Sequence, residues 1–396
     1  MTVKIAHIAD THLGYRQYGL IEREEDFYDT FKKITEDIIE KKVDYLIHSG
    51  DLFEQPKPPI KALLVAQQCF TKMIEHGIEI FVIAGNHDIL QRRKTTLPQE
   101  LYLNDKFHIL STKNNKAVLD EDIFLSGLPF LQKSYEKKVK EKLETISIEA
   151  KDHKHSILML HGGIPKYFDF NPEFELDTIP DGFDYYAMGH IHKRVIDNFK
   201  SGIISYPGST DIKEKGEIKE YKEKGKGYNI LTIDDTINVE YVNIYLEREF
   251  LVRTIKYPEL DKRLEEIESK INNDILSKTN KKPIVILTVK EGDFDRSDVV
   301  QRVYDKLGDI TLTIKLSYEP TETDDTDDHE RIYEQLTPEK LIKDRALELF
   351  ENETIAEMSV ELYTALSNKN LENAQKVTEN YYTENYKTTG ADNNDN

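Results

Sequence analysis

Five short segments of this chain are built on Asp, Asn or His, four of them with glycine: Asp10-Thr11-His12, Gly50-Asp51, Gly85-Asn86-His87-Asp88, His161-Gly162-Gly163 and Gly189-His190-Ile191-His192. Side chains of these types hold divalent metal ions through oxygen and imidazole nitrogen. Asp10 and His12 are two residues apart, as are His190 and His192, so at an extended strand end each pair shares a face. The glycines allow tight turns and close backbone approach. Seven residues are ligand candidates: Asp10, His12, Asp51, Asn86, His161, His190 and His192. That is too many for one ion of ordinary coordination. It suits two ions about 3.5–4 Å apart that share a carboxylate, and Asp51 is the natural bridge. Mixed oxygen and imidazole donors favour Mn, Fe or Zn over Mg or Ca. The single cysteine, Cys69, excludes an internal disulfide framework and a Cys-rich zinc site.

Each segment follows an apolar stretch that reads as a buried strand: 3–9, 43–47, 78–84, 157–160 and 185–188. A shorter strand, 203–206, runs into Pro207-Gly208-Ser209. Between them, Phe27, Phe31, Ile34 and Ile38 recur at helical spacing, and 63–74 reads as a helix opened by Pro58-Pro59. This alternation predicts α/β architecture, with sheets covered by helices and ligands gathered at the carboxyl ends of strands. The expected first domain spans 1–245. After it come strands at 248–256, 284–289 and 310–316 and helices at 260–275 and 298–307, a small α+β domain over 246–318. Residues 319–334 read as an acidic linker, with seven acids and no Lys or Arg between 319 and 330. Thr337-Pro338-Glu339 is a helix start. Ile342, Ala346, Leu349 and Phe350 form one apolar stripe, and Ile355, Met358, Leu362 and Ala365 a second. These helices, within 335–385, are too small to fold alone and must dock on their own chain or on a partner. Residues 386–396 read as a disordered tail.

The formal charge of −20 argues against a nucleic-acid partner, which usually shows as a basic face. Clustering of the acids weakens that objection. A rich content of both Glu and Lys also fits a thermophilic or salt-adapted host. The chain begins without a signal-peptide pattern and has no apolar run of membrane-spanning length, which implies a prokaryotic cytoplasmic location and no membrane partner.

The ordered set DTH, GD, GNHD, HGG, GHIH resembles the calcineurin-like metallophosphoesterase superfamily. With DTHLG, GDLF, the Tyr206–Ser209 stretch YPGS and the small downstream domain, the chain is similar to the Mre/SbcD family of DNA double-strand-break repair nucleases, in an archaeal form. The resemblance covers 1 to about 320. It implies a two-sheet α/β/β/α metallophosphoesterase sandwich, a small α+β capping domain that binds DNA, and C-terminal helices. It implies two Mn²⁺ ions, other divalent ions suiting the same donors. One is held by Asp10, His12, Asp51 and His192, the other by Asp51, Asn86, His161 and His190, while His87 touches phosphate. The implied activity is 3′–5′ exonuclease and single-strand endonuclease, with the protein associated with the nucleoid. Implied partners are DNA, an SMC-like coiled-coil ABC ATPase gripped by the C-terminal helices, and a second copy meeting the 63–74 helix in a homodimer. Asp88 is expected to orient His87. One position departs from the family: Glu54 stands where a His is common, which bears on exonuclease efficiency.

The competing readings are a nucleotide phosphodiesterase or phosphatase of the same superfamily, and a non-enzymatic scaffold. A scaffold would have eroded ligands. A small-molecule enzyme explains the acidity but leaves 246–318 and the C-terminal helices without purpose. Any single His is more ordinarily a satisfied core residue; it is the ordered set that argues for metal. His7 and His48, inside strands, suit core or supporting roles. His76, His108, His153, His155 and His329 read as surface residues. The 213–226 run, with six Lys and four Glu, reads as a solvated face or a phosphate contact.

Overall fold

The structure, a computed structural model, describes residues 2–89, 96–168 and 172–319 and, beyond them, 342–343, 346–347, 350, 352–367 and 371–386. Most of the linker, the Thr337-Pro338 helix start, Leu349, His329 and the tail beyond 386 lie outside the described residues.

Two six-stranded sheets form the main body. The first runs β12-β11-β1-β2-β3-β4, with β1 Val3–Ile8, β2 Tyr45–Ser49, β3 Glu79–Ile83, β4 Phe107–Ile109, β11 Lys226–Ile233 and β12 Ile237–Ile244. The second runs β5-β6-β7-β8-β10-β9, with β5 Lys116–Leu119, β6 Ile123–Gly127, β7 His155–His161, β8 Tyr185–Gly189, β9 Val195–Phe199 and β10 Gly202–Tyr206. β1, β2, β3 and β4 are parallel, as are β6, β7, β8 and β10, and antiparallel strands flank them.

Period-2 alternation sorts the strand side chains into layers. Ile5, Ile47 and Phe81 point inward and meet Leu125, Ile157, Met159 and Tyr185 of the other sheet. Ala6, Ile8 and Leu46 point outward onto α1 (Ile21–Glu40) and α2 (Ile60–Glu75). On the far side, Leu158 and Leu160 pack against Val139, Leu143 and Ile146 of α3 (Glu136–Ala150). The result is the α/β/β/α sandwich, with both core strand sets buried on two faces.

A third sheet, β13-β14-β15 (Phe250–Lys256, Ile284–Lys290, Thr313–Glu319), carries α5 (Leu260–Lys270) and α6 (Arg296–Leu307), with a π-helical turn, Ile271–Ile275, after α5. Leu264, Val285, Leu287, Val299 and Val303 form its core. The described residues of 2–290 and 294–318 fall within one compact unit. The buried carboxylate of Asp26 on α1 joins the small domain to the sandwich. It pairs with Arg23 and with Arg248, and with Lys281 at 3.0 Å. Arg23 continues to Asp211 at 2.8 Å.

The second unit holds α7 (Glu353–Ser367) and α8 (Leu371–Tyr386). In α7, Ile355, Met358 and Leu362 are half-buried and Ala365 is buried, whereas Phe350 of the first expected stripe is exposed. No helix among the described residues is long and apolar enough to cross a membrane.

Candidate metal centre

The carboxyl ends of five parallel strands, three from one sheet and two from the other, open at the same edge. β1 delivers Asp10 and His12, β2 delivers Asp51, and β3 delivers Asn86 and His87; β7 ends in His161, and β8 leads to His190 and His192. Asp10 (φ 53°), His12 (45°), Asp51 (54°) and His190 (93°) all have left-handed backbone, which non-glycine residues adopt only at a cost. The bends turn each side chain off its strand axis and into the gap between the sheets. The sheets come so close here that a Cβ on Gly189 would lie 2.0 Å from the Ser49 carbonyl oxygen.

The structure brings all seven ligand candidates together. Asp10 accepts the His190 backbone N–H at 3.0 Å. Asp51 Oδ1 accepts the His87 N–H at 2.9 Å, and its Oδ2 lies 3.4 Å from His161 Nε2 and 3.9 Å from His12 Nε2. Asn86 Oδ1 lies 3.0 Å from His161 Nε2 and 3.1 Å from His190 Nδ1. His12 Nε2 and His192 Nε2 are 3.1 Å apart. Single ligand atoms of Asp10, His12 and His192 lie within 4.8 Å of one another, as do those of Asp10, Asp51 and His161.

These atoms fit metal ions. His161 Nδ1 donates to the Ser49 carbonyl oxygen at 2.8 Å, so only Nε2 is left to face Asp51 and Asn86. His192 Nδ1 is 3.0 Å from Glu217 Oε1, which leaves its Nε2 as a lone pair. Carboxylate, amide oxygen and imidazole lone pairs thus crowd a space that calls for positive charge. Burial alone would lower His161, but the Asp51 carboxylate raises it to about 9. The same pairing, against the opposing effect of burial, holds Asp51 far below the usual carboxylate range. A divalent ion bound here replaces such a proton. Burial lowers His12 to about 4, and burial with the neighbouring His161 lowers His190 to about 3, which favours the neutral imidazole that binds metal.

Carboxylates outside the ligand set face the rings. Glu217 on α4 (Glu217–Lys224) is held by Lys226 and by Ser209, which donates to Glu217 Oε2 at 2.7 Å. Glu54 Oε2 is 2.9 Å from His12 Nδ1, and Glu173 Oε2 is 3.6 Å from His190 Nε2. Glu217, Lys226 and Glu173 carry no spacing signal, so sequence reasoning missed them. The 213–226 run contains a helix, and both its Glu217 and its Lys226 are buried. Ser209, in the YPGS stretch, was the nearest pointer to them.

Asp88 differs from expectation. Its carboxylate accepts the backbone N–H groups of Gly85 (2.9 Å), Phe53 (3.0 Å) and Leu52 (3.3 Å) rather than orienting the His87 ring. It clamps the loops after β2 and β3 together. Burial, then repulsion from Asp51, raises it to about 7. The His87 ring is set by the backbone carbonyl of Glu54, 2.8 Å from Nδ1, with the side chain about one-third exposed (33%) in the pocket. His7 is buried between Tyr185 Oη (2.8 Å) and Ser49 Oγ (2.9 Å), and His48 is buried against Thr11 Oγ1 (3.1 Å), so both support the strands. His155 is buried, not on the surface, with Nε2 2.9 Å from the Asp234 carbonyl oxygen. A cavity of about 450 Å³ opens over the ligands, lined also by Tyr167, Phe168 and Lys193.

A sequence profile of calcineurin-like phosphoesterases matches residues 3–194. The DNA double-strand break repair protein Mre11 of Methanocaldococcus jannaschii is 42% identical over 254 residues, covering 63% of this chain and 69% of that protein. Mre11 of Methanococcus maripaludis is 33% identical over 381 residues, covering 94% of this chain and 96% of that protein. Mre11 of Sulfolobus acidocaldarius is 32% identical over 313 residues, covering 78% and 80%.

Proposed function

We propose a function on one premise: the chain belongs to the calcineurin-like phosphoesterase family and, within it, to the archaeal Mre11 DNA double-strand break repair proteins. It is a two-metal DNA phosphodiesterase, a manganese-dependent nuclease with 3′–5′ exonuclease and single-strand endonuclease action. The observation that carries this reading is the convergence of acceptor atoms from Asp51, Asn86, His161 and His192 at the strand ends.

One ion would sit with Asp10, His12, Asp51 and His192, the other with Asp51, Asn86, His161 and His190. Ions there supply Lewis-acid polarisation of a phosphodiester and a water acidic enough to act as nucleophile near neutral pH. The protein's own groups do the rest. Glu54 and Glu217 hold His12 and His192, and the Asp88 clamp keeps the β2 and β3 ends in register. His87, with Nδ1 committed to the Glu54 carbonyl, presents Nε2 to the phosphate, where it donates to a non-bridging oxygen or to the leaving oxygen.

DNA binding by so acidic a chain is served by local cations. Lys193 lines the metal pocket. In the small domain, a cleft of about 600 Å³ between β13 and α5 collects Arg253, Lys256, Arg263, Lys270 and Lys290 beside Glu259 and Glu266. Such a cleft supports contact with a phosphate backbone.

Hydrolysis of linear duplex and single-stranded DNA should require Mn²⁺. Full activity in EDTA would end the two-metal reading, and activity confined to mononucleotide esters would favour a nucleotide phosphodiesterase. The C-terminal helices are proposed to bind the coiled-coil base of an SMC-like ATPase, supported by the incompletely covered apolar residues of α7. Removing 335–396 should leave the nuclease unit folded and abolish co-purification with that ATPase; unchanged co-purification would remove the assignment. A homodimer through α2 is proposed on its exposed Ile60 and Leu64.

A further inference from the structure

Glu54 lies three residues beyond Asp51, and the structure gives its carboxylate two neighbours. Oε2 lies 2.9 Å from His12 Nδ1 and 2.8 Å from Lys213 Nζ. Lys213 Nζ itself lies 3.2 Å from the same His12 nitrogen. The ammonium is fixed in place, because its side chain is only 10% exposed and Nζ sits 5.1 Å from the centre of the Tyr15 ring. Two groups of opposite character thus compete for one imidazole nitrogen. An ammonium can only donate and a carboxylate can only accept. If Lys213 donates to Nδ1, the His12 hydrogen resides on Nε2, which then donates to His192 Nε2 at 3.1 Å. That arrangement closes the pair of rings on each other and leaves His12 without a lone pair for a metal ion. If Glu54 accepts from Nδ1–H, Nε2 is bare and faces the pocket beside Asp51.

We propose that Glu54 is a positioning residue that draws the Lys213 ammonium to itself and so keeps His12 in the tautomer able to bind a metal ion. The inference rests on the two-metal reading above. Carboxylates that orient ligand histidines are worth about 10–100-fold in metal affinity. Here the carboxylate has a second task, since it must also keep a neighbouring cation from the nitrogen it holds.

The test is a calorimetric Mn²⁺ titration of chelator-stripped full-length protein, for wild type, Glu54→Gln, Lys213→Met and the double variant. Glu54→Gln should weaken one of two sites by about 10–100-fold and leave the other nearly unchanged. Lys213→Met alone should bind as wild type does. The double variant should regain much of the lost affinity, because the competing donor is gone; a structural role for Glu54 would give no such rescue. The double variant also leaves no unpaired buried ammonium, so it remains informative if Glu54→Gln folds poorly. Wild-type affinity in Glu54→Gln, or a double variant as weak as the single, overturns the inference while two-site binding by wild type stands. A wild type that binds no Mn²⁺ overturns the two-metal reading itself.

Discussion

His87→Ser is expected to retain both metal ions and to lose phosphodiester hydrolysis by about 10²–10³-fold, the usual effect of removing one donor aimed at developing charge. The expectation comes from where each ring nitrogen points. Nδ1 is tied to the Glu54 carbonyl at 2.8 Å, so Nε2 alone is free for chemistry. The side chain is one-third exposed to the pocket, whereas those of His12 and His161 are fully buried. Metal content of the purified variant and its turnover on linear DNA should therefore part company. There is a competing arrangement to exclude: ligand atoms of His87, Glu54 and His12 lie within 4.8 Å of one another and could themselves hold an ion. A variant that loses an ion along with activity would move His87 into the ligand set.

Asp51→Asn should reduce hydrolysis to the level seen with chelator and weaken both ions together. The amide preserves shape, and its oxygen can still accept the His87 backbone N–H, a 2.9 Å bond in the native protein. What disappears is the charge that two imidazoles face, His161 at 3.4 Å and His12 at 3.9 Å. As the proposed shared ligand, Asp51 should cost more than the roughly 10–100-fold in affinity that an outer partner costs. Equilibrium dialysis resolves the point. One ion held at native affinity would mean that Asp51 serves only the other.

The strands that carry the candidate ligands were legible because they are buried on both faces and end in Asp, Asn or His, four of the five with an adjoining glycine. β5, β9 and β12 were not, for the opposite reason. They lie at or beside sheet edges and alternate half-buried and exposed residues in polar sequence, as in Val195–Phe199, so no apolar run marks them. The α3 helix carries Val139, Leu143, Ile146 and Ala150 at helical spacing, but its many Lys and Glu residues obscure the stripe. Most charges of the 213–226 run are exposed, as a solvated face requires, but Lys226 and Glu217 are buried, each with the other as partner. Asp88 shows a different limit. Sequence adjacency placed it beside His87, yet what it binds is three backbone N–H groups, and only the folded loops put those within reach.

The left-handed backbone at Asp10, His12, Asp51 and His190 bears on how such a protein would age over evolutionary time. Each of these residues sits where glycine would be at ease, at a cost of about 1–2 kcal/mol. That cost is tolerated only while the side chain is needed. In a lineage released from the proposed nuclease duty, glycine at these positions would relieve the backbone cost as it erased the candidate ligands. Selection for stability alone would therefore dismantle the catalytic edge first and leave the sandwich standing. Descendants that keep the architecture without the chemistry are the expected end of that drift.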